Sequence, residues 1–385
     1  MSVDEVDLAA ATDELIVEFE SADATTFLGA QYDAGLAWVA FPNGFGGRDA
    51  PAKMQAIVDE RLENAGRLAD WMRNPMGIGM VGPAIAEWGT DEQRDRLRKI
   101  FTAEELWCQL FSEPGAGSDV ASLSTRAVLD GDEWTVNGQK VWTSLAHQAS
   151  FGLIITRTNA DAPKHAGMTA FIVDMHAPGV EVRPLRQMSG DHHFNEVYFT
   201  DVRIPDSYRV GAIDAGWSVA VSTLMNERVS IGGKVVPRGS GRIATAVATW
   251  QEFGHLQPAR RGELLRLWSE AEILRLSSIR ARALRERGTP GPEGSILKLA
   301  GAVLDRRIMS FAVDLAGAYG TLVPGYVDID PRENRELDFL RAQSSTIAGG
   351  TTEVMKNIIG ERVLGLPPDI RVDKNLPWSE VPRSG

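Results

Sequence analysis

A single cysteine, Cys108, stands among 385 residues, so no intrachain disulfide can form and a reducing compartment is expected. Histidine is scarce as well. Of six, only His192 and His193 are adjacent, and neither HExxH nor CxxC occurs, so no metal site is expected. No serine occupies a G-x-S-x-G elbow, which removes the usual hydrolase nucleophile. No apolar run approaches the ~20 residues that span a bilayer. The N-terminal MSVDEVDLAA is acidic and lacks the apolar segment of an export signal, so a cytoplasmic location is expected. Positive charge is in deficit. With 40 Lys+Arg against 52 Asp+Glu, the formal net charge is −12, which argues against a nucleic-acid partner. Hydrophobic residues at 43% and charged residues at 24% exclude a disordered chain, and the length suffices for two or three domains with real cores.

What is present divides by periodicity. Residues 1–103 read as helices joined by Gly/Pro segments such as FPNGFGG and NPMGIGMVGP, with Thr90 an N-cap candidate and Glu92 in the first turn of the helix that follows. Over residues 104–206 the period becomes two. STRAVLD, EWTVNGQKVWTS, FGLIITRT, MTAFIVDM, VEVRPLRQ and FNEVYFTDVRI are separated by DGDE, NG and PGV turns. In the last of these, Val197 and Phe199 share one face while Glu196, Tyr198 and Thr200 share the other. No helix-length segment intervenes, which favours antiparallel pairing in a small barrel or sandwich. Over residues 207–385 the helical period returns. Leu264, Leu267, Trp268, Ala271 and Leu274 form one apolar stripe; Ile296, Leu299, Ala300, Val303, Ile308 and Phe311 form another, across the loop RGTPGPEG. The segment after Leu366 is polar and Pro-rich and reads as an extended arm. The expected architecture is α+β: a helical domain, an antiparallel β domain, then a four-helix bundle.

Several short motifs bear on chemistry. GIGMVG, residues 77–82, satisfies G-x-G-x-x-G but lacks the strand before it and the βαβ unit around it, so it reads as a loop. FSEPGAGSD, residues 111–119, offers flexible backbone at Gly115 and Gly117 and hydroxyls at Ser112 and Ser118, which suits a ligand and also suits an ordinary hairpin entry. GQKVWTS puts Trp142 two residues from Ser144, an aromatic face beside a hydroxyl; a buried sandwich tryptophan would read the same. IAGGTTEVMKNIIGERVLGLP, residues 347–367, begins with a Gly349–Gly350 turn into a helix whose first N–H groups favour oxygen ligands, or is a plain interhelical turn. MNERVSIGG, residues 225–233, places Glu227 and Arg228 after the uncharged run GWSVAVSTLM. A carboxylate there needs a partner or a use.

FSEPGAGSD, NGQKVWTS, HHFNEVYFTDVRIP and GGTTEVMKNIIGERVLGLP, in this order, resemble the acyl-CoA dehydrogenase family over most of residues 30–367, with an N-terminal helical domain shorter than is usual there. The resemblance implies an FAD enzyme that oxidises an acyl-CoA thioester at its α and β carbons and passes electrons to an electron-transfer flavoprotein, usually as a homotetramer. It implies that Gln109, Phe111 and Ser112 border the flavin ring, and that Gly117 and Ser118 lie where FAD phosphate and CoA approach. Trp142 would stack on the flavin, Ser144 would reach its edge, and Thr351 and Glu353 would contact FAD.

Many members of the family carry the catalytic carboxylate at the position of Gly349, before Gly350 and Thr351. That carboxylate is absent here. Isovaleryl-type and long-chain members instead place it just before an arginine on the helix after the β domain, and Glu227 before Arg228 matches. Arg228 is then expected to hold CoA, and a backbone N–H of the Gly349–Gly350 turn to polarise the thioester carbonyl. A purely structural Glu227–Arg228 pair is the alternative. Two departures concern the FAD half that each subunit lends its neighbour: Trp250 and Gln251 stand where a basic residue is expected, and Asp314 and Ala318 where Gln and Gly are common. They keep open a half-site subunit in a heterotetramer with a homologous chain, or a flavin oxidase or monooxygenase on the same fold.

Overall fold

The protein is described here by a computed structural model covering residues 4–232, 235–286, 292–322, 335–370 and 373–382; at residues 71, 227–232, 285 and 286 only the backbone course is described. The chain divides into two compact units, one of residues 1–186, 192–227 and 371–385, the other of residues 187–191 and 228–370.

The first unit opens with helices α1 (Glu5–Glu18), α2 (Ala24–Asp33), α3 (Gln55–Asn64), α4 (Gly82–Trp88), α5 (Asp91–Arg94) and α6 (Leu97–Thr102). Thr90 caps α5 as expected: its side chain accepts from Gln93 N, and the Gln93 side chain returns the bond to Thr90 N. The Gln93 amide also donates to the carbonyls of Ser207 and Arg209, at 2.7 and 2.9 Å, so the cap fastens the helices to the strands. GIGMVG is not a loop. Residues Gly77–Val81 form a π-helical turn leading directly into α4, with Gly82 N donating to Gly77 O. Pro83 at the start of α4 has no N–H, which favours such a local widening.

Eight strands follow: β1 (Trp107–Leu110), β2 (Arg126–Asp130), β3 (Glu133–Ser144), β4 (Phe151–Arg157), β5 (Met168–Asp174), β6 (Val180–Leu185), β7 (Phe194–Pro205) and β8 (Arg209–Val210). The sheet order is β6-β7-β3-β2-β4-β5-β8, with β1 paired to β4. Most pairs are antiparallel. β1–β4 and the single β2–β4 pair, Arg126 with Arg157, are parallel. The β2–β3 hairpin supplies the crossover that a helix more often provides. β4 and β5 are buried on both faces, which explains their nearly unbroken apolar runs. One face packs on helices through Trp107, Leu153 and Ile172, the other on a core of Trp134, Phe171 and Val197. Val197 and Phe199 point inward on β7, with Glu196, Tyr198 and Thr200 less buried.

Helix α7 (Gly216–Gly232) leads on to the second unit, which contains α8 (Arg242–Phe253), α9 (Arg261–Glu286), α10 (Glu293–Ala316), α11 (Arg335–Ala342) and α12 (Thr352–Ile358). Helix α10 is the hub, touching α8, α9, α11 and α12. The α9 stripe packs inward, with Leu264 and Leu267 buried and Trp268, Ala271 and Leu274 against them. The α10 stripe is corrected in its first half. Ile308 and Phe311 are buried, but Ile296, Ala300 and Val303 are exposed, while Ala302 and Leu304 turn inward. Apolar residues occur on more than one side of that half-helix, so periodicity alone does not select the buried side. Most of RGTPGPEG falls on 287–291, outside the described residues.

The segment after Leu366 departs from the expected extended arm: residues 367–370 carry no helix or strand, but residues 373–382 form turns and a short 3-10 helix, Trp378–Glu380, and belong to the first unit.

Candidate active site

Trp142 is the least ordinary residue of the β domain. It is 61% exposed and sits in left-handed backbone at φ 60°. For a bulky L-residue that conformation costs roughly 1–2 kcal/mol. The cause is a bulge: between Lys140, opposite Val197, and Thr143, opposite Asn195, β3 carries one residue more than β7. Up to Lys140 the even-numbered residues of β3 point inward, as Trp134 and Val136 do. The bulge reverses the parity, burying Thr143 and turning Trp142 and Ser144 outward. Val141 N donates to Ser112 O at 2.9 Å, which ties the bulge to the chain leaving β1. The Phe194 ring meets the indole edge-on at 6.0 Å between centroids. Asn195, fully buried, donates to the carbonyls of Thr143 and His193.

Beneath this surface lies an ion pair. Lys140, with no exposed side-chain area, places Nζ 2.8 Å from Glu113 Oε1 and donates to Phe111 O at 3.0 Å. Glu113 also accepts from Ser124 N and Oγ and from Thr125 N, at 2.7–2.9 Å. Burial pushes the Glu113 carboxyl up, but the Lys140 charge and these hydrogen bonds outweigh it and hold it at about 2. Burial also lowers the Lys140 ammonium below its ordinary value, against the pull of Glu113. Glu113 fixes the start of the Pro114–Asp119 loop, where Gly115, Gly117 and Ser118 are exposed and a Cβ at either glycine would meet nothing. Gln109 is partly buried on β1 and Ser112 partly exposed beyond it, whereas the Phe111 side chain lies in the core.

In the second unit, Gly349 and Gly350 adopt φ 66° and 95°, and a Cβ at Gly350 would come within 2.8 Å of Met355 Cε. Only glycine passes there without displacing that side chain. Thr351 then caps α12, its hydroxyl accepting from Val354 N at 3.1 Å, and Glu353 is exposed in the first turn. Glu227 and Arg228 lie on the backbone of α7, but their side chains are outside the described residues. Trp250 is partly buried against the bundle core, packed on Gly254. Asp314 and Ala318 are exposed.

The structure thus groups Ser112, Trp142 and Ser144 around the bulge, and Gly349, Gly350 and Thr351 around a second turn. Sequence reasoning passed over Glu113, Lys140 and Asn195, although each lies inside a quoted motif. For Lys140 and Asn195 the available signal was a polar or charged residue on the inward parity of a strand whose other inward side chains are apolar; Glu113 lies between β1 and β2, where no strand parity applies.

The acyl-CoA dehydrogenase middle-domain signature matches residues 108–202 and the C-terminal-domain signature residues 214–364. The chain is 36% identical over 343 residues to the acyl-CoA dehydrogenase IpdE1 of Mycobacterium tuberculosis, covering 88% of this chain and 86% of that one. It is 39% identical over 339 residues to the acyl-CoA dehydrogenase FadE34 of the same organism, covering 87% of this chain but 45% of the relative; the chain spans less than half of that protein. Among solved structures, the Tcur3481-Tcur3483 steroid ACAD superposes with a TM-score of 0.74 at 26% identity, covering 95% of this chain and 97% of that one. This chain belongs to the acyl-CoA dehydrogenase family.

Proposed function

We propose that the protein is an FAD-dependent acyl-CoA dehydrogenase that converts an acyl-CoA thioester to the trans-2-enoyl-CoA, with Glu227 as the base. The observation that carries the reading is Trp142, an exposed indole held in strained backbone on a bulge bonded to Ser112. Strain of this kind persists where the surroundings over-determine it, and it clusters at ligand sites.

The described residues fit FAD. The exposed indole is open to a planar ring, Ser144 follows it on the outward side of the bulge, the Ser112 carbonyl is bonded to the bulge at Val141, and the open space at Gly117 lets backbone N–H groups approach a phosphate. Gln109, Thr351 and Glu353 complete the proposed FAD set, and Ser118 and Arg228 are assigned to CoA. Once bound, FAD supplies the acceptor for the β hydrogen. Glu227 takes the α proton, and a desolvated setting would raise its affinity for that proton toward the working pH. A backbone N–H at Gly349 or Gly350 polarises the thioester carbonyl, so the negative charge developing on its oxygen is stabilised without a side chain at position 349. The electron acceptor is an electron-transfer flavoprotein. The likeness to a steroid ACAD supports a substrate whose acyl group is a steroid side chain.

The test is optical. The chain purified with FAD is yellow, and anaerobic addition of a steroid side-chain acyl-CoA bleaches it while straight short-chain acyl-CoAs act more slowly. No bleaching with any acyl-CoA overturns the proposal. Rapid reoxidation by air with peroxide release would move the assignment to a flavin oxidase.

A second reading is favoured by Trp250, whose partly buried ring packs against the bundle core at the position where the family resemblance leads one to expect a cation. In that reading a homologous chain completes the FAD site in a heterotetramer, in place of a homotetramer.

A further inference from the structure

The segment 373–382 returns to the β domain and lands beside the Gly117–Ser118 loop. Trp378 N and Ser379 N donate to the carbonyls of Ala162 and Ala160, both at 2.9 Å, and Pro377 bridges Pro163. The Trp378 ring lies 5.0 Å from the Arg157 guanidinium, and its Nε1 donates to Ser122 O at 3.3 Å. Arg157, 3% exposed at the end of β4, donates to Ala121 O at 2.6 Å and to Lys164 O at 2.8 Å. Lys164 places Nζ 2.9 Å from Asp119 and 2.6 Å from Asp373. Asp119, Ala121 and Ser122, the residues just past Gly117 and Ser118, are therefore each gripped by the segment directly or by a residue it holds. Within the loop itself, Glu113 and Ala116 exchange N–H···O bonds at 3.0 Å, and both bonds lie before Gly117.

We propose that residues 373–382 are a strap, anchored by Trp378, that positions the Gly117–Ser118 loop for phosphate. Trp378 and Asp373 are positioning residues acting through Arg157 and Lys164; neither touches the ligand. Fixing an otherwise pliant loop in its binding geometry lowers the ordering cost of binding. The ligand assignment rests on the proposed FAD reading, whereas the mechanical role of the strap does not.

The test uses the full chain with Trp378→Ala, Trp378→Phe and Asp373→Asn. Without ligand, hydrogen exchange is followed at Ser122 and Leu123, whose amides close the turn onto Asp119 O and Val120 O at 3.0 and 3.1 Å. With ligand, the FAD dissociation constant is measured by flavin fluorescence. Trp378→Ala is expected to speed exchange at both amides and weaken FAD, each about tenfold, the equivalent of ~1.4 kcal/mol. Trp378→Phe, which keeps a ring for Arg157, should recover part of both effects. A merely structural tryptophan would lower the melting temperature without that partial recovery of affinity. Should Trp378→Ala fail to fold, Trp378→Phe and Asp373→Asn carry the same two readouts. Unchanged exchange and unchanged FAD affinity in the folded variants overturn the strap. If the parent binds no FAD, exchange alone decides the strap and the proposed function falls separately.

Discussion

Lys140 Nζ lies 2.8 Å from Glu113 Oε1 in a site where the lysine has no exposed side-chain surface. The pair joins two of the four motifs that carry the family resemblance. Glu113 sits in FSEPGAGSD and Lys140 in NGQKVWTS, and between them they hold the strand end bearing Trp142 and the loop bearing Gly117 in one frame.

Removing one member leaves the other charged and buried. Lys140→Met should cost about 3–5 kcal/mol of stability, as buried half-pairs do. The double variant Glu113→Gln, Lys140→Met should cost clearly less than the sum of the singles, because no orphan charge remains. Denaturant unfolding of the four chains measures the difference, and additive losses would show that the pair is not coupled.

The same carboxylate sets a pH window. Glu113 is held at about 2 against an ordinary 4.5, so the native state favours its ionised form. Its stabilisation is complete above about pH 4.5 and is lost as pH falls toward 2. Melting temperature against pH should therefore fall less steeply between those limits in Glu113→Gln than in the parent. Parallel curves would contradict the ion-paired state.

Trp142 should separate stability from binding. Trp142→Gly removes an edge-on contact with Phe194 worth about 0.5–1.5 kcal/mol and relieves left-handed strain of roughly 1–2 kcal/mol. The variant should melt near or above the parent temperature while losing most affinity for FAD. Parent-like affinity would show that the exposed indole has no part in the site.

In the second unit, Gly350→Ala places a methyl group against Met355 and an L-residue at φ 95°, and should cost about 1–3 kcal/mol. Thr351→Ala removes the cap of α12 and should cost about 1 kcal/mol. Thermal melts of both variants check the order, and Gly350→Ala is expected to be the worse.

Much of the fold was legible because its signals are local. Period two marked the strands, Thr90 announced its helix, and Val197 and Phe199 declared the inward face of β7. The bulge was not legible. Parity along β3 gives Trp142 and Ser144 a common face but not which one, because the extra residue is defined only by pairing with β7. Lys140 was missed for a related reason: its partner lies 27 residues earlier, and no sequence pattern records the contact. The π-helical turn at Gly77–Val81 follows from how Gly82 N finds Gly77 O, which a glycine count does not disclose. The exposed half of the α10 stripe shows the limit of periodicity, which proposes a face but not what covers it.

The central claim is that Glu227 removes the α proton, and single-turnover flavin reduction tests it most directly. Glu227→Gln keeps the size of the side chain and its hydrogen-bonding reach but has no carboxylate to accept a proton. With acyl-CoA in excess over anaerobic FAD-loaded protein, the rate of flavin bleaching in Glu227→Gln should fall by at least ~10²–10⁴, with FAD and acyl-CoA affinities nearly unchanged. Bleaching at the parent rate would contradict the account and leave Glu227 as a structural partner of Arg228.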